Sequence, residues 1–316
     1  MLITAVPRLV AQMNEQTTVL VTGSDGFVGR HLVPYLAAEG YRVIAASRAE
    51  PTFENPNIVA VRLPDLSLPF DWQPLLHLCD TVVHLAGIAH QFANDELYDR
   101  VNHLATAALA DAAFRCGTKH LVFVSSIAAQ SGSSSDHELT ENEAPRPKNS
   151  YGKSKLAAEK AIREAGVPFT ILRPVVIYGE GEKGNFATFF RISRLPIPLP
   201  FGMLTARRSV LWIQNLNSAI GLVLGNSRAL GEIFIVSDPE PVTVADLVAR
   251  HRAGLGRSSW LLPIPARWLE LSLKAVGQRA LWERLGRPQI VDPSKLLDIG
   301  WKPFVPSSVH STDVST

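Results

Sequence analysis

The chain has 316 residues, of which 46% are hydrophobic and 19% are charged, and its 31 basic and 29 acidic side chains give a net charge of +2. This composition is typical of a globular enzyme and excludes a largely disordered or fibrous chain. The basic residues are dispersed along the sequence, so it predicts no nucleic-acid partner. No run of about 18 apolar residues occurs, so it also predicts no membrane span.

The cysteines and the chain ends suggest an intracellular enzyme. Cys79 and Cys116 lack the spacing of metal ligands or of a redox pair, which predicts no metal site and a reducing, cytoplasmic compartment. Residues 1–16 lack the features of a secretory signal and are predicted to form a loose N-terminal extension. The polar residues 307–316 are predicted to form a flexible tail.

Short β-branched runs alternate with amphipathic stretches over the first two-thirds of the chain. The runs at 18–22, 41–46, 81–85, 121–125 and 169–172 predict strands, and 30–39 and 98–116 predict helices that end at Gly40 and Gly117. This rhythm predicts an α/β fold, a Rossmann-like doubly wound parallel sheet. We expect a dinucleotide-binding domain over 17–178. A smaller, mainly substrate-binding C-terminal lobe would span 179–306, with about 208–224 returning to the core.

A glycine-rich turn follows the first predicted strand and opens a helix. Gly23 permits the tight turn, Gly26 lets the backbone approach a pyrophosphate, and Gly29 permits close packing of the helix on the strand. The helix N-terminus then faces the phosphate charge. The predicted cofactor-binding residues of this turn are Gly23, Asp25, Gly26, Phe27, Val28 and Gly29.

The end of the second predicted strand bears on the choice of dinucleotide. An acidic residue there accepts hydrogen bonds from the ribose of NAD, whereas this chain has Ser47 and Arg48. Because an arginine binds a 2′-phosphate and an acid repels it, Arg48 favours NADP. The alternative is an exposed arginine beside an NAD site.

Tyr151 and Lys155 lie four residues apart in a predicted helix and therefore share one face. A neighbouring ammonium favours the phenolate, so Lys155 is predicted to lower the pKa of Tyr151. Ser126 follows the strand at 121–125, where a hydroxyl faces the ligand crevice of an open α/β sheet. Ser126 is therefore predicted to hold a substrate oxygen; the alternative is a cap for the next turn.

Together these motifs resemble the extended short-chain dehydrogenase/reductase family, in its NAD-dependent epimerase/dehydratase branch. Further landmarks of the resemblance are Asp65, the segment His84-Leu85-Ala86-Gly87, Asn102, Leu172-Arg173-Pro174, Tyr178-Gly179 and Gly300-Trp301. The resemblance implies that Tyr151 is the general acid/base and that Lys155 also binds the nicotinamide ribose. It places Asp65 and Leu66 near adenine and Leu85, Ala86, Gly87 and Asn102 along NAD or NADP.

The resemblance also implies a UDP-sugar site in the smaller lobe. It assigns Asn185 to the diphosphate, the backbone around Leu199 and Phe201 to uracil, and Arg208 to a phosphate, for which a bidentate guanidinium is suited. Arg207 could exchange roles with Arg208. A second phosphate-binding arginine is expected nearer the C-terminus, and Arg284 and Arg287 are both candidates.

Three departures from the pattern of UDP-galactose 4-epimerases concern Arg48, Val176 and Gln130, which replace an acid, an asparagine and a tyrosine. They weaken the assignment as a galactose epimerase, whereas the segments 172–186, 207–216 and 257–265 resemble bacterial enzymes that finish UDP-linked deoxy or acetamido sugars for surface polysaccharides. Some of those enzymes reduce a 4-keto group, so the sequence favours a 4-keto reductase. The alternatives are a UDP-hexose 4-epimerase that retains NAD and a non-catalytic nucleotide sensor. A homodimer is expected only from the resemblance.

Overall fold

The computed structural model describes residues 16–49, 52–89, 93–181, 189 and 191–304. Its strands are β1 Thr18–Thr22, β2 Arg42–Ser47, β3 Ile58–Arg62, β4 Thr81–His84, β5 His120–Val124, β6 Glu138–Leu139, β7 Phe169–Pro174, β8 Val176–Tyr178, β9 Arg207–Arg208, β10 Val210–Trp212, β11 Glu232–Val236, β12 Val242–Thr243 and β13 Ile290–Val291.

The α-helices are α1 Phe27–Ala38, α2 Gln73–Leu76, α3 Asp95–Tyr98, α4 Ala105–Arg115, α5 Ile127–Gln130, α6 Ser150–Ala165, α7 Ile213–Leu224, α8 Val244–Gly254, α9 Ala266–Ala275, α10 Arg279–Leu285 and α11 Ser294–Asp298. A π-helix spans Asp99–Leu104, and a 3₁₀-helix spans Ser227–Ala229. None of the described helices is long and apolar enough to cross a membrane.

Seven strands form the main sheet in the order β11-β7-β5-β4-β1-β2-β3, and every pair is parallel. The predicted Rossmann-like doubly wound fold is therefore confirmed. The strand order reverses between β1 and β4, and in such sheets the ligand crevice lies outside the carboxyl ends at that point. The predicted strand at 18–22 has the predicted bounds, whereas the sequence analysis missed β3 at the sheet edge.

Both faces of the main sheet are buried, which explains the nearly continuous apolar strands. Val19 and Val21 of β1 pack into one core with α1 and α7, and the intervening Leu20 packs into a second core with α4 and α6. Helix α7 thus packs on the main sheet although it follows β9, a strand of the small lobe. Gly40 and Gly117, at the ends of α1 and α4, have positive φ, as expected of C-terminal caps.

The small lobe comprises residues 191–208 and 242–289 in the described part of the chain. Its antiparallel pair β9–β12 joins the two segments, and a parallel bridge joins Leu199 to Leu261. A separate apolar cluster contains Leu204, Val244 and Trp282, against which α9 packs. The lobe therefore has its own small core above the carboxyl edge of the main sheet.

Candidate active site

The glycine turn fits the dinucleotide role predicted for it. Gly23 has φ +72°, and a Cβ atom there would lie 2.8 Å from the Ala86 nitrogen. A Cβ on Gly29 would overlap the Gly23 carbonyl and Ser24. Gly26 is the N-cap of α1, with no side chain between the helix N-terminus and the crevice. The turn therefore brings β1, the loop after β4 and the positive end of α1 within reach of a pyrophosphate.

Asn102 holds the loop after β4 against α6. Its side-chain oxygen accepts a hydrogen bond from the Ile88 amide at 2.9 Å, and its Nδ2 donates to the Ile88 carbonyl at 3.0 Å and to the Ser154 hydroxyl at 3.1 Å. Gly87 lies in this loop, and a Cβ there would lie 2.9 Å from the Asn102 oxygen and 3.6 Å from Lys155 Nζ. The absence of a side chain at Gly87 therefore lets Asn102 and Lys155 lie close to the backbone of this loop.

The predicted helix at 98–116 is not regular, because the segment that carries Asn102 is a π-helix. π-Helical turns are rare and often mark functional sites. The 3.6-residue apolar pattern continues through this turn, so the sequence analysis treated the whole stretch as α-helix. The extra residue in the turn is a local backbone feature that apolar periodicity does not report.

A buried hydrogen-bond chain that the sequence analysis missed joins the glycine turn to this π-helix. The Thr106 hydroxyl donates to the Asn102 carbonyl at 2.8 Å, so it accepts from His84 Nε2 at 2.9 Å. His84 Nδ1 then accepts from the Thr22 hydroxyl at 2.7 Å. Burial, followed by the charge of Lys155, lowers the pKa of His84 to about 3. The imidazole is therefore neutral, and its two hydrogen bonds link Thr22 of β1 to Thr106 of α4.

Ser126, Tyr151 and Lys155 come together at the carboxyl edge of the sheet. Ser126 caps α5 by accepting a hydrogen bond from the Ala128 amide at 3.1 Å, and its side chain is also hydrogen-bonded to Tyr151. Ser126 therefore caps the next turn, and its contact with a substrate oxygen stays a prediction. A Cβ on Gly152 would overlap the Ala128 carbonyl, so this glycine lets α6 approach α5 closely enough to bring the two hydroxyls together.

The predicted lowering of the Tyr151 pKa is not seen. Burial, the dominant cause, raises the pKa of Tyr151 to about 12, the bond from Ser126 opposes the rise, and Tyr98 adds to it. The Lys155 ammonium donates to the Val124 carbonyl at 3.0 Å and lies 4.6 Å from the centre of the Phe123 ring. Burial lowers the pKa of Lys155 to about 8, while Glu159 opposes this shift.

Beneath Lys155 lies a buried ion pair whose function the sequence analysis did not identify. Arg173 is 2% exposed and donates to both oxygens of the fully buried Glu159, at 2.9 and 2.5 Å. Ser125, next to Ser126, donates to the same carboxylate at 2.5 Å. Glu159 follows Lys155 at the same four-residue interval by which Lys155 follows Tyr151, and that spacing could have revealed it.

Gln130, one of the noted departures, belongs to this network. Its side-chain oxygen accepts from Arg173, and its Nε2 donates to the carbonyls of Thr140 and Glu143 at 3.2 and 3.0 Å. Gln130 therefore ties the loop before α6 to the buried ion pair. Val176, another departure, is 37% exposed in β8.

Arg48 and Asp65 lie near one another beyond the ends of β2 and β3. The Asp65 carboxylate accepts from the Ser67 amide at 2.9 Å, and this bond, followed by one from the Ser67 side chain, lowers its pKa, as does the charge of Arg48. Ser47 is buried and its hydroxyl donates to the Ala49 carbonyl, while Leu66 packs into the core. Arg48 is exposed at this edge, so either dinucleotide could lie against it.

In the small lobe two groups predicted to contact the substrate have hydrogen-bond partners within the chain. The Leu199 amide donates to the Trp260 carbonyl at 3.1 Å, and its carbonyl accepts from Leu262 at 2.8 Å, so the lobe itself uses the backbone groups predicted to contact uracil. The Phe201 ring packs 6.2 Å from the ring of Phe189. Asn185 lies outside the described residues.

Arg208 is the second of these groups, because its guanidinium binds the protein itself. It donates to the carbonyls of Arg287 at 2.7 Å and Ser133 at 2.8 Å and to the Gln289 side chain at 3.0 Å. Burial, followed by the charge of Arg284, lowers its pKa to about 10. Arg208 therefore joins the loop at Ser133 to the segment 287–289, and these groups take the donors predicted for a phosphate.

The other arginines of the predicted phosphate site differ in orientation. Arg207 donates to the carbonyl of Pro241, the residue before β12, at 2.8 and 3.2 Å. The charge of Arg284 acts on Arg208, whereas Arg287 contributes its carbonyl. Arg284 therefore lies near the Arg208 guanidinium, and whether Arg284 or Arg287 binds a phosphate stays a prediction.

A glycine turn after β1, with a serine, a tyrosine and a lysine close together at the carboxyl edge of the same parallel sheet, is typical of an enzyme of the short-chain dehydrogenase/reductase class. The NAD dependent epimerase/dehydratase family model matches residues 19–237, and the chain belongs to that family. Its predicted dependence on a nicotinamide dinucleotide is thereby confirmed. Whether that dinucleotide is NAD or NADP stays a prediction.

Comparison with individual proteins agrees with this membership. The chain is 31% identical to UDP-glucose 4-epimerase of Vibrio cholerae, with 90% of each chain covered. It is 29% identical to N-acetyl-alpha-D-glucosaminyl-diphospho-ditrans,octacis-undecaprenol 4-epimerase of Escherichia coli O157:H7, over 78% of this chain and 76% of the relative. The structure of MoeE5 in complex with UDP-glucuronic acid and NAD has the same fold, with a TM-score of 0.73, 24% identity and 91% and 94% coverage.

Proposed function

We propose that the chain exchanges a hydride and a proton at C4 of a UDP-linked hexose, and that its reaction is the reduction of a 4-keto sugar. The observation that carries the proposal is the hydrogen-bonded pair Ser126 and Tyr151 beside Lys155 at the carboxyl edge of the sheet. A pKa of about 12 keeps Tyr151 protonated at neutral pH. A neutral phenol is the form that can give a proton to a keto oxygen.

The residues of the crevice fit a nicotinamide dinucleotide. The glycine turn and the α1 N-terminus would hold the pyrophosphate, and Gly87 lets Asn102 and Lys155 approach the backbone of the loop after β4. When bound, the dinucleotide supplies the hydride for reduction or accepts it for oxidation. The protein supplies the geometry and the proton.

In reduction, Ser126 orients the keto oxygen and Tyr151 donates its proton to that oxygen as C4 gains the hydride. The Lys155 ammonium then stabilises the phenolate that remains. Oxidation of a C4 hydroxyl uses the same atoms in reverse, with Tyr151 as the base. Arg48 supports the reductase because it favours NADP at the adenosine end.

The second candidate function is 4-epimerisation with a retained dinucleotide. It is supported by the relatives from V. cholerae and E. coli, both named as 4-epimerases. An epimerase oxidises C4, lets the keto sugar turn and returns the hydride to its opposite face, with no net redox change. A sensor function is disfavoured because Ser126, Tyr151 and Lys155 are all present and close together.

The test begins with release of any bound nucleotide from the purified protein and its identification by mass. The protein is then incubated with UDP-glucose, UDP-GlcNAc, a UDP-4-keto-6-deoxy sugar and undecaprenyl-diphosphate-linked GlcNAc, each with and without NADPH. Stoichiometric NADPH consumption on the keto sugar supports the reductase. Retained NAD with interconversion in the absence of added cofactor refutes it and establishes the epimerase.

A matched pair of variants tests the assigned chemistry. We expect Tyr151→Phe to lower kcat by about 100-fold or more, because the proton donor is lost, with little change in dinucleotide affinity. Tyr41→Phe, which removes a hydroxyl from the chain after α1, should retain full activity. Equal activity of the two variants would exclude Tyr151 as the acid/base.

A further inference from the structure

The fold concentrates positive charge in the small lobe although the basic residues are scattered along the sequence. Residues 191–208 and 255–289 together carry ten basic and two acidic side chains, a net charge of +8. The rest of the chain therefore has a net charge of −6, since the whole chain has +2. Such asymmetry indicates an anionic partner on the lobe side.

The same lobe exposes apolar side chains. Of the fifteen large hydrophobic residues that are exposed in the described part of the chain, nine lie within 192–203 and 260–276. They are Ile192, Leu195, Ile197, Met203, Trp260, Leu262, Trp268, Leu271 and Val276. We call these nine residues the lobe face. Their concentration distinguishes them from the single exposed apolar residues of an ordinary surface.

Part of the lobe face is held in place by Arg252, which is 2% exposed. Its guanidinium donates to the carbonyls of Leu195 and Ile197 at 3.0 and 2.8 Å, and to those of Ser259 and Trp260 at 2.7 and 3.3 Å. One buried arginine thus fixes two loops side by side, while their apolar side chains remain exposed. The exposed apolar side chains of these two loops therefore lie on an ordered surface.

Trp260 itself has a strained backbone. Its φ is +38°, in a region that bulky side chains rarely adopt, and its side chain is 56% exposed. Such strain tends to occur at functional positions. The fold therefore keeps an indole ring in solvent on the same rim as Leu195 and Ile197.

Helix α9, which follows Trp260 in the chain, carries apolar side chains both toward the lobe core and toward solvent. Leu269 and Leu273 pack toward the lobe core, while Trp268 and Leu271 on the other side are 68% and 55% exposed. Arg267 is an exposed neighbour of Trp268 on the same helix. Tryptophan and leucine with flanking basic residues are typical of helices that lie in the interface of a membrane.

We propose that the lobe face binds the surface of an anionic lipid bilayer, with the two tryptophans in the headgroup region and the basic side chains on lipid phosphates. The charge of the lobe complements such a surface, and indole rings favour the boundary between water and hydrocarbon. This is peripheral binding by an exposed surface, with no membrane-spanning segment. It does not depend on the proposed reaction, because no substrate takes part.

The test is flotation of the full chain with vesicles of phosphatidylcholine alone or with about a third of phosphatidylglycerol, at about 0.05 and 0.5 M NaCl. We expect binding to the anionic vesicles that weakens at least about tenfold at high salt. Trp268→Ser should weaken binding about tenfold and Arg267→Gln about fivefold. Phe114→Ser, which removes a 58% exposed ring outside the lobe, is the matched control and should bind as wild type.

Absence of binding at low salt, or equal effects of Trp268→Ser and Phe114→Ser, would overturn the proposal. Light scattering without vesicles measures whether the wild type and Trp268→Ser are monomers or dimers. If the wild type is a dimer that Trp268→Ser dissociates, and neither binds vesicles, the lobe face is instead an interface between copies of the chain. Circular dichroism verifies that the variants are folded, which we expect because the substituted side chains are exposed.

Discussion

The buried ion pair beneath Lys155 predicts a large loss of stability in Glu159→Gln. The fully buried carboxylate accepts two hydrogen bonds from Arg173 and one from Ser125. Gln retains one oxygen acceptor but removes the counter-charge of a guanidinium that is itself 2% exposed. Removing one partner of a buried pair costs about 3–5 kcal/mol. Because Gln can retain part of the hydrogen bonding, we expect the free energy of unfolding to fall by about 3 kcal/mol.

Urea unfolding followed by circular dichroism measures this change. The matched control is Glu164→Gln, the same substitution on the same helix, where the ion pair with Lys160 spans 3.7 Å and both side chains are about two-thirds exposed. Exposed pairs often contribute nothing measurable. Equal losses in the two variants would refute the reasoning. A second readout is activity: Glu159 opposes the lowering of the Lys155 pKa, so Glu159→Gln should move the alkaline limb of the pH profile to lower pH.

Three further predictions follow from the site and the core. Gly152→Ala should lower the free energy of unfolding by about 1–3 kcal/mol in urea unfolding, because its Cβ would overlap the Ala128 carbonyl; Gly225→Ala, with open space around it, is the control, and equal effects would contradict the explanation. Arg48→Leu should weaken NADPH binding at least about tenfold in a fluorescence titration and leave NADH binding nearly unchanged; equal weakening would show that Arg48 does not read the 2′-phosphate. Burial lowers the pKa of His120 to about 4, so between pH 6.5 and 4 the unfolded chain binds a proton that the folded chain does not, and this residue lowers stability as the pH falls by up to about 1.4 kcal/mol per pH unit. His120→Gln should flatten that dependence in urea unfolding between about pH 7 and 5; an unchanged slope would contradict the assignment.

The parts of the molecule that the sequence predicted are those whose causes are local. The glycine turn needs three small residues between a strand and a helix, and the Tyr151 and Lys155 pair needs only helical spacing. Edge strand β3 was missed because only its first residue, Ile58, is buried, so it lacks the strong apolar pattern of the inner strands. The site residues of the cofactor half stay predictions about binding, although the structure gathers them along one crevice.

Contacts with partners far away in the sequence could not be predicted from local patterns. Arg208 looked like a phosphate ligand because a guanidinium suits phosphate, but its donors meet carbonyls about 75 residues away in both directions. Leu199 was likewise predicted to contact the ligand, but its amide is hydrogen-bonded to the carbonyl of residue 260. The predicted direction of the Tyr151 pKa shift was wrong for a related reason. Helical spacing reveals the neighbouring charge but not the burial that outweighs it.

Helix α6 joins the chemistry of the crevice to the stability of the core. Tyr151, Lys155 and Glu159 occupy successive turns of one face, so the proton donor, the ammonium and the buried carboxylate form a single line from crevice to sheet. Burial alone would release the Lys155 proton more easily, and Glu159 resists that release while Arg173 holds Glu159 in place. The pH at which Lys155 loses its charge is therefore set by an ion pair one turn deeper than the reacting groups. It follows that substitutions on β7, which contributes Arg173 and no atom at the reacting carbon, should change the pH dependence of catalysis as well as the stability of the sheet.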